Sequence, residues 1–200
     1  MKRRAHRPHP TVHVRRVAGA SIALCAALVL TACNSSDGKS AATQKSPSVT
    51  PSSAPSLTAD PKTAAKRAAI ATYAAYWREM EKLYADPTGR SAHLGQYSAS
   101  AALKNAEADA KRAHGRGRVY TGTVALSDQR ITKVDATGKI PNATVSSCLD
   151  VAKWQPIDAK SKKPVSLPKN RLTKYVIVST VEKYPQGWRV TSDEPQGKSC

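Results

Sequence analysis

The chain has 200 residues and carries 32 Lys plus Arg against 14 Asp plus Glu, a formal charge of +18. That length excludes more than about one domain with tails, and so strong a basic excess turns the chain toward anionic partners and away from cationic ones. Residues Met1 to Arg16 form a basic opening with six Lys or Arg and no acid. Val17 to Leu30 then gives 14 residues with no charge. This run suits the core of an export signal and falls short of the roughly 20 residues that a membrane-spanning helix needs.

Leu30-Thr31-Ala32-Cys33 follows directly. It resembles the bacterial lipobox, in which an aliphatic residue and two small ones precede an obligatory Cys. The resemblance implies cleavage between Ala32 and Cys33, lipid on the Cys33 sulfur, and retention on the outer face of the plasma membrane of a Gram-positive-type bacterium. Two acyl chains hold a protein on a bilayer far better than one. Arg15-Arg16 leaves general secretion and twin-arginine export both open. Loss of residues 1–32 removes six positive charges and leaves +12.

Of the four cysteines, Cys25 leaves with the leader and Cys33 is the expected lipid site. Cys148 and Cys200 remain, and an oxidising exterior predicts one disulfide between them. Two Cys with no nearby His give no zinc spacing.

Residues 33–60 are rich in Ser, Thr and Pro and nearly free of large apolar side chains. Such a segment buries too little surface to fold. We expect a tether that reaches about 30 Å as a flexible coil. The folded domain is expected over residues 61–200. Asp60 is placed to cap a helix that has Pro61 at its first position. Ile70, Tyr73, Ala74, Trp77, Met80 and Tyr84 recur at helical spacing, and Asp86-Pro87 ends the run. A second helix is predicted from Ser91 to His114, with mostly small apolar positions, and Gly115-Arg116-Gly117 breaks it.

From Arg118 the period changes to that of strands. We expect strands over Val119 to Leu126, Gln129 to Asp135, Ala143 to Lys153, Pro164 to Leu167 and Leu172 to Tyr184. Pro185-Gln186-Gly187 should form a hairpin turn, with Trp188 to Thr191 returning. Helices first and then a run of strands is an α+β plan, with N-terminal helices packed on a curved antiparallel sheet.

Three stretches carry a family resemblance: Tyr73 to Trp77, Val145 to Trp154 with its Cys-Leu-Asp, and Lys174 to Val190 with its Tyr-Pro-Gln-Gly-Trp turn. Together with the element order, they make residues 61–200 similar to the nuclear transport factor 2-like cone, and to the C-terminal domains of small actinobacterial lipoproteins. The resemblance implies a cavity between the first helix and the sheet. In some relatives, such as ketosteroid isomerase and polyketide cyclases, that cavity does acid–base chemistry. In others it binds a ligand or supports a partner, and the fold alone does not decide.

Residues expected near such a pocket are Asp150, Tyr120, Tyr175 and Trp77. His93 and His114 are the only histidines after the leader, and both fall at helix ends. No Gly-rich phosphate loop, nucleophile elbow or metal-binding cluster is present in the sequence, so no catalytic residue, metal or cofactor is assigned. Arg112, Arg116 and Arg118 form one basic knot, a candidate anion site, and Lys160, Lys162, Lys163 and Lys169 form another. Expected partners are the membrane, through the lipid, and a cell-wall polymer or envelope protein. Nucleic acid is not expected outside the cell. The sequence favours a non-enzymatic binding or accessory module, with a pocket enzyme of the isomerase or cyclase type as the alternative.

Overall fold

The structure, a computed structural model, describes residues 60–200. The expected leader, Cys33 and nearly all of the tether lie outside the described residues.

Helix α1 spans Pro61–Ala85. Its start is fixed by the Asp60 carboxylate, which accepts from the Thr63 N–H at 3.0 Å, and by Pro61 where no donor is needed. It stops at Asp86, whose carboxylate organises the turn by accepting from Thr88 N–H (2.8 Å) and Ser91 N–H (3.0 Å).

A 3-10 turn at Leu94–Gln96 and helix α2 at Ser100–Gly115 follow. The second helix therefore starts nine residues later than Ser91. The reason is non-local. Ala99 N–H donates to the Val190 carbonyl (2.9 Å) and Val190 N–H to the Tyr97 carbonyl (2.8 Å), so this stretch is claimed by a distant strand. Buried Glu79 holds the same loop by accepting from the His93 N–H at 2.6 Å.

The strands are β1 (Arg118–Thr121), β2 (Ala125–Asp135), β3 (Asn142–Asp150), β4 (Gln155–Asp158), β5 (Lys174–Tyr184) and β6 (Gly187–Ser199). They form two antiparallel sheets, β1-β4 and β2-β3-β5-β6. The expected strand through Leu126 is cut at Gly122, which has φ +82° and lies against the Lys153 carbonyl. Downstream, Ala125 to Asp135 is one strand with a bulge around Asp128, where two strands had been expected to begin and end. Pro164 makes only an isolated bridge to Ile157, and the pairing strand is β4, before the Lys-rich loop. The hairpin forms at Pro185-Gln186, and β6 runs well past Thr191.

One face of the four-stranded sheet carries Ala143, Val145, Ser147 and Leu149 of β3 and Ile177, Ser179 and Val181 of β5, all buried. Against it α1 places Ala69, Tyr73, Tyr76, Trp77 and Met80. Ala102, Ala106 and Ala110 line the buried side of α2, and their small size lets that helix approach closely. Each large side chain buried here contributes about 1.5–3 kcal/mol. Cys148 is bonded to Cys200, with Cα atoms 5.9 Å apart. The expected α+β class and the expected disulfide are both present.

Candidate functional site

The basic knot becomes a pocket. Tyr84 near the end of α1, Asp109, Arg112 and Arg116 on and after α2, and Arg118 and Tyr120 on β1 line a space of about 280 Å³. Gly117 supplies the positive φ (+69°) that turns the chain from α2 into β1. This turn puts Arg116 and Arg118 at one rim.

Arg112 pairs with Asp109 one helical turn away. Arg112 also lies in the last turn of α2, where a cation answers the negative end of the helix. Among the described residues, no carboxylate lies within ion-pair distance of Arg116 or Arg118.

The floor is aromatic. Tyr84 and Tyr120 meet edge to face at 5.1 Å, and both rings pack on Trp154, at 4.9 and 4.7 Å. Trp77 stands behind Trp154 at 6.3 Å and is buried. Burial pushes the Tyr84 phenol up to about 12, with Tyr120 adding and Arg112 opposing. Its hydroxyl is therefore a donor at any physiological pH. Three guanidinium groups and two phenols around one carboxylate suit a phosphate or carboxylate group.

The second basic knot is adjacent. β4 pairs with β1, with Arg118 opposite Asp158, and Ala159 N–H donates to the Gly117 carbonyl at 2.8 Å. Lys160, Lys162 and Lys163 follow at once and are exposed. The Asp158 carboxylate accepts from Ser161 and Lys160 N–H groups, which shapes this loop and holds the acid below its usual range.

A different polar cluster lies between α1 and the sheet. Ser179 Oγ donates to Asp193 Oδ1 at 2.5 Å, and the Tyr76 phenol lies near the same carboxylate. Tyr73 Oη and Ser147 Oγ lie 2.9 Å apart. Burial pushes the Asp193 carboxyl up to about 7, against the hydrogen bond from Ser179 and the nearby Tyr76 phenol, and Glu194 adds to the rise. Burial likewise raises Tyr73 and Tyr76, with the Asp193 charge adding to both. Asp193 retains some solvent exposure, whereas Tyr73, Tyr76, Ser147 and Ser179 are buried.

The four expected pocket residues do not share one place. Tyr120 lines the basic pocket and Trp77 backs its floor. Tyr175 is on the inner sheet face opposite Leu149, and the Asp193 charge raises its phenol after burial. Asp150 alternates to the outer face of β3 and accepts from Ala152 N–H at 2.8 Å in the following turn. Arg112, Arg116 and Arg118 do come together. His93 contributes its backbone N–H to Glu79, and the His114 ring nitrogen is 3.2 Å from the Tyr84 carbonyl, tying α2 to the end of α1. The Asp193 cluster was not foreseen. Tyr73 and Tyr76, two phenols on the buried side of one helix, were its one sequence signal. Among the described residues no His, Cys, Asp and Glu side chains gather as a metal site, and no helix is long and apolar enough to cross a membrane.

The fold and this site define an α+β domain with a basic pocket on an aromatic floor. No family model matches the chain, and no curated protein matches it. Among solved structures, the intermembrane space region of the chloroplast protein ARC6 is similar at 17% identity, covering 65% of this chain and 95% of that one, with a TM-score of 0.46. At that score the likeness carries no inference about fold family or role.

Proposed function

We propose that the chain is a lipid-anchored, non-enzymatic module on the outer face of the plasma membrane, and that its basic pocket binds a phosphate-bearing polymer of the cell wall. The anchor is read from Leu30 to Cys33 and the basic leader, and the cone-like fold from the element order. One observation supports the ligand class above the others. Arg112, Arg116 and Arg118 line one pocket with Tyr84 and Tyr120, and the Lys160–Lys163 loop lies beside it. Guanidinium forks match phosphate oxygens, and a flanking set of lysines extends the field along a repeating polyanion.

The test is binding of purified mature chain to teichoic acid and to a neutral wall polysaccharide that has no phosphate, at two ionic strengths. We expect salt-sensitive binding to the first only, weakened at least tenfold by Arg116→Glu with Arg118→Glu. Equal binding of both polymers, or no effect of the double variant, overturns the reading. The anchor is tested by Cys33→Ser, which should release the protein from membranes.

A pocket enzyme of the isomerase or cyclase type is the second reading. It is favoured by Asp193, an acid near neutrality with tyrosine and serine partners, as proton transfer at an enolisable carbon requires. It also needs room for a substrate, and Tyr73, Leu149 and Ile177 fill that interface. Turnover of a carbonyl substrate abolished by Asp193→Asn would establish it in place of the first.

A further inference from the structure

The end of the domain opposite the basic pocket has its own character. The β2–β3 turn and the β5–β6 turn meet there, joined by Lys183 N–H donating to the Pro141 carbonyl at 2.8 Å. Between them lies a groove of about 610 Å³ whose lining includes Lys139, Ile140, Pro141, Lys183, Tyr184 and Pro185. Ile140 is 54% exposed, one of two large apolar side chains left open among the described residues. A smaller recess beside it shares Pro141 and Lys183 and is walled by Pro61, Ala64 and Trp188.

The chain enters the domain at this end, since Asp60 and Pro61 begin α1. Lys139 and Lys183 line the groove and are exposed, and exposed Lys62 follows Pro61 of the neighbouring recess. The acids nearby are Glu182, which lines the groove, and Asp135, whose carboxylate accepts from Thr137 and Gly138 N–H groups.

We propose that this end lies on an anionic phospholipid surface, with Ile140 and Pro185 entering the headgroup layer and Lys139, Lys183 and Lys62 against lipid phosphate. This rests on the lipid-anchor reading, which places the tether's far end in that same bilayer. Two features commit the face to lipid. An open aliphatic tip ringed by lysines is complementary to an anionic interface, where each lysine is worth roughly fivefold in partition. The residues that lead from Cys33 to the domain also arrive here. The basic pocket begins at Tyr84, 20 residues along α1 from Ala64, so it is held about 30 Å away from the docked end.

The lipidated mature chain is reconstituted in vesicles of brominated phosphatidylglycerol or brominated phosphatidylcholine. Flotation reads the anchor, and quenching of tryptophan emission reads the docking, because Trp188 is at this end and Trp77 and Trp154 are buried at the other. We expect flotation in both lipids and quenching in phosphatidylglycerol only. Quenching should be lost in the exposed triple variant Lys139→Glu, Ile140→Glu, Lys183→Glu, and kept in Lys160→Glu, Lys162→Glu, Lys163→Glu. Flotation without quenching overturns the docking and leaves the anchor standing. Failure to float overturns both. Self-association abolished by Ile140→Glu, with no quenching, assigns the face to a second copy and overturns the lipid proposal.

Discussion

Asp193→Asn should change how stability depends on pH. In the native chain burial holds the Asp193 carboxyl near 7, while the ordinary Asp value is 3.8. Between those values the folded state binds one proton more than the unfolded state, so stability falls as pH rises. The contribution is complete below about pH 4 and is gone once the pH has climbed through about 7. A gap of about three pH units corresponds to about 4 kcal/mol. Residual solvent at Asp193 reduces the expected change to about 2–3 kcal/mol. Asn keeps an acceptor for Ser179 and cannot ionise. Urea melts of both proteins at pH 5 and pH 8, with the disulfide intact, read the difference. That interval spans about two of the three units, so wild type should lose about 1–2 kcal/mol more than Asp193→Asn across it. Asp60, Asp86 and Asp158, held low by backbone and hydroxyl donors, contribute stability that is lost as pH falls; they are common to both proteins and cancel. Parallel pH profiles would refute the buried-acid reasoning.

Breaking the disulfide by Cys200→Ser frees a loop with a sequence separation of 52 residues; loop-closure entropy predicts a loss of about 4 kcal/mol and about 12 °C in Tm, and a fall under about 1 kcal/mol would contradict it. Gly122→Ala drives a Cβ onto the Lys153 carbonyl oxygen at a backbone φ of +82°, and should cost about 2–3 kcal/mol by thermal melt. Gly115→Ala meets open space and should stay within about 0.5 kcal/mol of wild type; equal effects of the two substitutions would refute the steric account.

Elements whose causes are local were legible in the sequence. Asp60, Pro61 and the spacing from Tyr73 to Tyr84 specify α1 without help from the rest of the chain. The Pro185-Gln186-Gly187 turn specifies its own hairpin, and counting cysteines after Cys33 leaves Cys148 and Cys200 as the pair. Where the cause is distant, the reading missed. Ser91 to Ala99 precedes helical spacing, yet Ser91 and His93 N–H groups are held by Asp86 and Glu79, and Tyr97 and Ala99 are taken by Val190 of β6. β4 is four residues long with Pro156 inside it, too short to show a period, and only its pairing with β1 makes it a strand. The same division holds at the site. Arg112, Arg116 and Arg118 are close in sequence and were visible as a cluster. Their approach to Lys160–Lys163 depends on the β1–β4 pairing and was not visible. Asp193 was hidden because β6 slips register between the partners of Thr180 and Val181. Alternation counted from Trp188 to Thr191 therefore does not carry through to position 193.

The length of α1 gives the two ends of the domain separate electrostatic lives. About 30 Å along the helix from Ala64 to Tyr84 is several times the roughly 8 Å over which charge is felt at physiological ionic strength. A bilayer beneath Ile140 and Lys183 therefore neither neutralises nor occupies Arg116 and Arg118. Charge reversal at Lys139 and Lys183 should alter how the domain meets lipid and leave polymer binding unchanged, and reversal at Arg116 and Arg118 should do the opposite. A single diffuse basic surface would instead make both pairs weaken both activities, because any lysine would substitute for any arginine. The +12 expected for the chain without residues 1–32 acquires a specific meaning only if those two effects separate.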